Sequence, residues 1–351
     1  MTYRHTTHAA RLERWLGIEQ VERISQAQRG FRHPVAIANV PGRVYVYDGE
    51  FYGKIEAGGF ASLMDYFLPR LNPLAGFTSL DHLIQERTAN GKGQSFFFNK
   101  AGTLAVTSAQ ASLWNVGARP GAGGAPPARP GGAAPDNTTT GSFQQSNAAA
   151  GDTLHFVTGF EQGSVASNTL LLYDRIFHAG SILHNTALAQ TITGVPTRYA
   201  TTTSPGNFAF LEVTTALSNT AHTITMQYTD QNGNPAENAP ALSGINTAAI
   251  TRIDHTPYFI PLNAADMGLR TCTQITISAG TAGVSNFVMG HPIAFLPCPA
   301  ANSMVVMDGI NSAFSFERIL DGACLALLEL KGIATATVYN GSVLMVSGFS
   351  A

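Results

Sequence analysis

Short runs of β-branched and aromatic residues, separated by turn residues, fill the second half of the chain and most constrain its fold. In Thr223–Thr229, the residues Ile224, Met226 and Tyr228 alternate with threonine and glutamine. Because successive side chains of a strand point to opposite sides of a sheet, this alternation predicts one buried and one solvent-facing side. Similar runs occur at Phe208–Thr214, Gln274–Ser278 and Phe287–Met289. The sequence therefore predicts a mainly β chain with an antiparallel, jelly-roll-like β-sandwich.

Two dipeptides, Asp48-Gly49 and Asn340-Gly341, predict hairpins near the two ends of the chain. Both dipeptides supply the positive φ that a two-residue hairpin turn needs. The strands they would join are Val44–Tyr47 with Glu50–Ile55, and Ala334–Tyr339 with Ser342–Val346.

The N-terminal part is predicted to be a small α+β region that begins with a basic amphipathic helix. Apolar residues recur at roughly helical spacing from Leu12 to Ile24, and Gly30 would end this helix. The helix could dock on its own domain or lie as an arm on a neighbouring subunit. Its arginines, between Arg4 and Arg32, also raise the hypothesis that the arm faces packaged DNA. Further helices over 61–68 and 79–87, a strand over 95–98 and the segment 104–114 complete the region.

Residues 117–150 lack any hydrophobic periodicity and consist mostly of glycine, proline and alanine. Such a segment buries too little apolar surface to order itself alone, which predicts a linker or an extended loop held by neighbours. The predicted organisation is an N-terminal region over 1–116, this linker over 117–150, and a β-sandwich assembly domain over 151–351.

The charged fraction is unusually low and favours protein–protein contact. Only 12% of the residues are Asp, Glu, Lys or Arg, whereas a soluble globular protein has about 25%. Hydroxyl and amide groups cost less to bury against a partner than ions do. The composition therefore favours an assembling subunit, although a monomer with a threonine-rich surface stays open. The net charge of −2 gives no general indication of nucleic-acid binding.

The remaining composition predicts a soluble protein made inside a cell. The three cysteines, Cys272, Cys298 and Cys324, are an odd number without a CxxC pair, which predicts buried, reduced thiols rather than disulfides. The N-terminal residues lack the apolar core of a signal peptide, and no apolar stretch is long enough to span a bilayer.

The sequence shows no complete catalytic or metal-binding motif. The sequence has no HExxH, GxSxG or P-loop, and the glycines at 121–124 neither follow a strand nor open a helix. By their spacing, two groups of residues could bind a metal: His5 with His8, and Asp174 with His178 and His184. Asp254 with His255 has the residue types of a catalytic dyad, but no nucleophile is identifiable. Asp230–Asn234 resembles the start of a calcium loop, but Pro235 and Ala241 stand where glycine and glutamate are needed, so a turn is predicted. No catalytic, cofactor-binding or metal-binding residue and no cofactor is predicted.

Several segments between Ala221 and Pro297, about a fifth of the chain, resemble structural proteins of tailed bacteriophages. Thr223–Gly233 is similar to their "TYTNQDG"-like strand and turn, and Phe259–Arg270 to their "PLxAGDxGVRS"-like segment. Ile275–Gly280 and the run His291–Pro297 share the resemblance. It implies a virion location and a β-sandwich assembly module of the capsid decoration, cement or minor capsid type, and it carries over no functional residue.

These observations together predict a non-enzymatic virion structural protein that is assembled in the host cytoplasm. The expected partners are the major capsid protein or other virion proteins and further copies of the chain, with a trimer favoured. We expect no contact with a membrane. Contact with nucleic acid is expected only as the hypothesis given above for the N-terminal arm. The first alternative is a tail, baseplate or head-fibre protein that binds a host receptor. The second is a carbohydrate-acting enzyme on a β scaffold, which would need two carboxylates about 5–10 Å apart.

Overall fold

The computed structural model describes residues 21–23, 36–40, 43–47, 52–56, 77, 80–102, 110–200, 206–218, 220–244, 253–254, 259–278, 282–308, 317–331 and 337–349. The chain forms two compact units, 1–82 and 83–351. Among the described residues, no helix has the length and apolar character needed to cross a membrane.

The first unit contains a four-stranded antiparallel sheet, whose strands follow the chain order. They are β1 (Val21–Arg23), β2 (Ala36–Val40), β3 (Arg43–Tyr47) and β4 (Tyr52–Glu56). The predicted pairing of β3 with β4 as a hairpin is confirmed, but Tyr47 pairs with Tyr52, which leaves four residues between the strands where a two-residue turn at Asp48-Gly49 was predicted.

The prediction of a helix from Leu12 to Gly30 is wrong over Val21–Arg23. This segment forms β1 and pairs with Ala36–Ala38 of β2. A β-branched residue such as Val21 fits a sheet well, and the backbone groups of β2 give this segment partners that helical spacing alone does not reveal. The other residues of the predicted arm and the predicted helix over 61–68 lie outside the described residues. The helix predicted over 79–87 is confirmed as α1 (Leu80–Thr88), with Asp81 in its first turn.

The described residues of the second unit form three antiparallel sheets. The central sheet has the order β10 (Phe208–Thr215), β15 (Val284–Cys298), β8 (Asn168–Leu183), β18 (Leu325–Lys331) and β6 (Gln110–Ser112). The β11 sheet has the order β12 (Glu237–Asn238), β11 (His222–Asp230), β14 (Leu269–Ile277) and β9 (Gln190–Thr191), and β13 (Leu242–Gly244) also pairs with β11. The β19 sheet has the order β16 (Met304–Asp308), β7 (Asp152–Gly163), β19 (Val338–Phe349) and β5 (Gly93–Ala101), and β17 (Arg318–Ile319) also pairs with β7.

The two longest strands of the central sheet, β8 and β15, pack against both other sheets of the second unit. The C-terminal half of β8, with Phe177 and Ile182, packs in one core with Ile224 and Ile275 of the β11 sheet. Its N-terminal half, with Leu170 and Leu172, joins the core of the β19 sheet. The pairing of β8 with β15 shifts register between Met289 and Gly290 and again between Pro292 and Ala294. Such irregularities bend and twist a strand, so β15 can follow first one packing partner and then the other.

The predicted mainly β chain with an antiparallel β-sandwich is confirmed. In β11 the burial alternates along the whole strand, and Ile224, Met226 and Tyr228 are the inward side chains. The opposite side of the central sheet is also covered: Leu171 and Tyr173 pack there against other apolar residues, including Trp114. The central sheet is therefore buried on both sides.

The hairpin predicted around Asn340-Gly341 is wrong. β19 continues through this dipeptide, with Asn340 opposite Asn99 and Gly341 opposite Phe98 of β5. A Cβ on Gly341 would lie 2.2 Å from the carbonyl oxygen of Phe160 and 2.2 Å from the Phe98 ring. The glycine is there to admit the neighbouring strand and ring rather than to form a turn.

Residues 117–150 lie along the second unit and are held by backbone hydrogen bonds. Gly123 N–H donates to the Trp114 carbonyl (2.7 Å), Ala133 pairs with His178, and Phe143 N–H donates to the Leu325 carbonyl (3.2 Å). This is the extended-loop form of the prediction, with neighbours supplied by the same chain. The boundary of the N-terminal unit also differs from the predicted residue 116, because β5 pairs with β19 and β6 pairs with β18.

The packing of this segment gives a direct stability test. A Cβ on Gly123 would lie 2.0 Å from Cε2 of Trp114, whereas a Cβ on Gly124 would meet nothing within 4 Å. We expect Gly123→Ala to lower the free energy of unfolding by about 1–3 kcal/mol, since the buried indole must move. Gly124→Ala should change it by less than about 0.5 kcal/mol. Urea unfolding of both variants measures the difference, and equal stabilities would contradict the packing of 117–150 on Trp114.

Candidate functional site

The three residues Asp174, His178 and His184, which neighbour one another in sequence, do not form one site. Both carboxylate oxygens of Asp174 accept hydrogen bonds from Arg198, each at 2.8 Å. His178 Nδ1 accepts a hydrogen bond from Arg175 Nε (3.0 Å), and burial together with this guanidinium lowers the pKa of His178 to about 3. Asp174 and His178 therefore serve a buried polar network, while His184 lies elsewhere.

Asp230–Asn234 forms the predicted turn. Asp230 Oδ1 accepts the backbone N–H groups of Asn232 (2.9 Å) and Asn234 (2.7 Å), and Gly233 has a positive φ of 92°. Hydrogen bonds within the turn thus engage the carboxylate that would open a calcium loop. His5, His8 and His255 lie outside the described residues.

The structure brings together a cluster that the sequence did not reveal: His184, His222 and Asp254. His222 Nε2 lies 2.8 Å from Asp254 Oδ2, and His184 Nδ1 lies 3.7 Å from the same oxygen. All three side chains are fully buried. Burial lowers the pKa of His222, but the hydrogen bond to Asp254 and the charge of Asp254 outweigh this effect, so the pKa lies above its ordinary value.

Nucleophilic catalysis does not fit this cluster, although the residue types are suggestive. Ser285 Oγ lies 2.8 Å from His184 Nε2, which gives a serine, a histidine and an aspartate in order. However, Ser285 is fully buried, and the 3.7 Å between His184 and Asp254 exceeds hydrogen-bond length. A substrate cannot reach this hydroxyl in the folded chain.

A second buried cluster contains two carboxylates, Glu161 and Glu329, in the core beneath the β19 sheet. Both residues are 0% exposed, and Tyr339 donates a hydrogen bond to Glu329 Oε1 (2.6 Å). Burial raises the pKa of Glu161 to about 8, and the charge of Glu329 contributes to the rise. Because neither acid is accessible, this pair does not supply the accessible carboxylates that hydrolysis of a polysaccharide requires.

The solvent-facing side of the β19 sheet, called the outer face below, carries two rows of uncharged side chains. Strand register places Val306, Phe160, Ser342 and Phe97 in the first row, and Met304, Gln162, Asn340 and Asn99 in the second. Four large apolar side chains of this face are 43–64% exposed: Phe97, Val306, Met304 and Val338. The sequence signal for the outer face was weak, because Phe97 stands within three consecutive phenylalanines and shows no alternation.

A depression borders the outer face on the side of β5. It has a volume of about 460 Å³ and is lined by residues 95–97, 118–121 and 140–144. Arg119 contributes an exposed side chain at its rim, and the backbone of Arg119 pairs with that of Asn99. The segment 117–150 thus forms one wall of the depression.

No protein-family model and no curated protein matches this chain. Among solved structures, the chain is similar to the VP2 subviral particle of infectious bursal disease virus, with 11% identity over 72% of this chain and 80% of that chain, at a TM-score of 0.15. It is also similar to T=1 particles derived from infectious bursal virus, with 11% identity over 72% of this chain and 77% of that chain, again at a TM-score of 0.15.

Proposed function

We propose that the chain is a non-enzymatic structural subunit of a virion, of the capsid decoration, cement or minor capsid type, and that it works by protein–protein adhesion. The observation that carries the proposal is the outer face, with its exposed Phe97, Val306 and Met304 among amide and hydroxyl side chains. Several exposed large apolar side chains on one side of a sheet are characteristic of interaction sites. The resemblance of residues 221–297 to tailed-phage structural proteins supports the virion location.

The low charge of the sequence also limits the charge available to the surface. The chain has 42 charged residues, and ten of them are buried among the described residues: Glu86, Lys100, Glu161, Asp174, Arg175, Arg198, Glu212, Asp230, Asp254 and Glu329. The charged residues that remain for the surface are few, because the whole sequence contains only 12% of them. Such a surface loses little hydration energy on contact, which favours adhesion between subunits.

The outer face predicts the effect of one substitution on self-association. We expect light scattering over a hundredfold range of concentration to show a discrete trimer or larger closed ring for the native chain. Phe97→Asp should weaken this association by about 100-fold or more, because assembly would bury an unpaired carboxylate. The matched control is Leu188→Asp, since Leu188 is 76% exposed and lies in the loop before β9, which belongs to the β11 sheet.

The control variant should assemble like the native chain. A native chain that stays monomeric at every concentration and does not bind empty capsid shells would overturn the proposal. Unchanged assembly of Phe97→Asp would locate the interface elsewhere, and equal loss in both variants would mean that the loss is not specific to the outer face.

The depression beside β5 favours the alternative of a receptor-binding tail, baseplate or head-fibre protein. Its lining combines the aromatic Phe96 and Phe97, the cationic Arg119 and backbone groups of 140–144, which is the mixture found in small-molecule sites. Binding of host-surface glycans that Arg119→Ala abolishes, with assembly unchanged, would favour this function over capsid adhesion.

A further inference from the structure

The cluster of His184, His222 and Asp254 connects separate parts of the second unit. His184 follows β8, His222 begins β11, and Asp254 lies in a segment whose backbone N–H donates to the Leu211 carbonyl of β10 (2.9 Å). The three side chains thus meet at one end of the core between the central sheet and the β11 sheet. Three donor atoms, one from each side chain, all lie within 4.8 Å of one another.

The outer nitrogen of each imidazole has a partner of its own. His222 Nδ1 lies 3.1 Å from the carbonyl oxygen of Thr220, and His184 Nε2 lies 2.8 Å from Ser285 Oγ. A carbonyl oxygen only accepts, so Nδ1 of His222 carries a hydrogen. Histidines that bind metals show this arrangement, in which the outer N–H is held by a carbonyl or another oxygen and fixes the ring orientation.

These outer hydrogen bonds determine whether the inner nitrogen of each imidazole presents a hydrogen or a lone pair to Asp254. With its hydrogen on Nδ1, a neutral His222 turns the lone pair of Nε2 towards Asp254 Oδ2 at 2.8 Å. Two electron-rich atoms at that distance in a dry interior repel each other unless a positive charge lies between them. His184 Nδ1 faces the same oxygen at 3.7 Å, and its outer nitrogen can donate to Ser285.

The donor set and its spacing suit a small divalent ion. Imidazole nitrogen and carboxylate oxygen bind Zn²⁺ at about 2.0–2.2 Å, so tetrahedral geometry separates adjacent donors by about 3.4 Å. The observed separations of 2.8 and 3.7 Å lie on either side of this value. A 2+ ion would also carry the charge opposite to that of the Asp254 carboxylate within this fully buried cluster.

We propose that His184, His222 and Asp254 bind one divalent transition-metal ion of the Zn²⁺ class. The ion would hold β8, β11 and the segment at 253–254 together, and a water molecule would complete its tetrahedral shell. The role is structural, because the site is closed to substrates. Metal binding of this kind contributes to folding stability.

The test uses the untagged full chain and Zn²⁺ alone. Elemental analysis of the purified, dialysed protein should give about one zinc ion per chain. Removal of the ion with a chelator should lower the midpoint of thermal unfolding by about 5 °C or more. Addition of Zn²⁺ should restore the midpoint, whereas Mg²⁺ should not, because Mg²⁺ prefers oxygen ligands.

Two variants and a control distinguish metal binding from general damage. His222→Asn and Asp254→Asn should bind less than about 0.1 zinc ion per chain. His178→Asn alters a buried histidine outside the cluster and should retain the native zinc content. A native chain without zinc whose unfolding midpoint Zn²⁺ does not raise would overturn the proposal and leave a proton, carried by His222, as the bridging charge.

Discussion

Replacing Arg198 by methionine is expected to lower the free energy of unfolding by about 3–5 kcal/mol. Arg198 forms two hydrogen bonds of 2.8 Å with the carboxylate of Asp174, which is fully buried. Its Nη2 also donates to the Pro135 carbonyl (2.8 Å) in the segment 117–150. Methionine fills part of the volume but leaves a buried negative charge without its cation, and that uncompensated charge dominates the loss.

A second substitution separates the charge effect from the loss of packing. Asp174→Asn added to Arg198→Met removes the unpaired charge, so urea unfolding of the double variant should recover about 1–3 kcal/mol of the loss. Arg318→Met is the control, since Arg318 is exposed, and should change the stability by less than about 0.5 kcal/mol. A small effect of Arg198→Met would mean that water reaches Asp174 in solution.

Local sequence patterns predicted strands where each strand has one buried side. β11 follows strict alternation, so its inward residues Ile224, Met226 and Tyr228 could be chosen from the sequence. β8 offers no such pattern: the run from Leu170 to Tyr173 is apolar at every position because the central sheet is buried on both sides. Its existence can be predicted, but its sixteen-residue length and its two partner sheets depend on contacts with distant strands.

Glycine was the least reliable signal, because one residue type serves two purposes. Gly49 and Gly341 each follow a residue that favours turns, yet Gly341 lies inside a strand where the space beside Phe98 and Phe160 admits no Cβ. The glycines in 117–150 likewise contribute to the prediction of a linker or an extended loop. At Gly123 the reason is instead close contact with Trp114. Nothing local distinguishes these cases, since the crowding atoms come from elsewhere in the chain.

The clusters of polar residues could not be predicted for a related reason. Asp254 meets His222, 32 residues away, rather than a sequence neighbour. Asp174 meets Arg198, 24 residues away. Such pairs form because the fold brings together segments that are distant in sequence: Asp174 lies within β8, whereas Arg198 and Asp254 lie outside the named strands. These contacts were not available from the sequence. The outer face has the same origin, since its rows combine β16, β7, β19 and β5.

Glu161 is expected to make the protein less stable as the pH rises. Burial raises the pKa of Glu161 to about 8 in the folded chain, and the charge of Glu329 adds to this rise. In the unfolded chain the pKa is near its ordinary value of 4.5. At a pH between these two values, Glu161 is protonated in the folded chain and charged in the unfolded chain. The contribution of Glu161 to the free energy of unfolding is therefore complete at low pH and declines towards pH 8.

The size of the effect follows from linkage. One pKa unit corresponds to about 1.4 kcal/mol, so the Glu161 contribution should fall by roughly 2–4 kcal/mol between pH 5 and pH 8. Urea unfolding at several pH values measures this slope in the native chain. Glu161→Gln keeps a neutral side chain of similar size at every pH and should flatten the slope, whereas Asp81→Asn, at an exposed position of α1, should keep it. Parallel curves for the native chain and Glu161→Gln would show that Glu161 is charged in the folded state, with its burial compensated by Cys298 or by solvent entering beside Glu329.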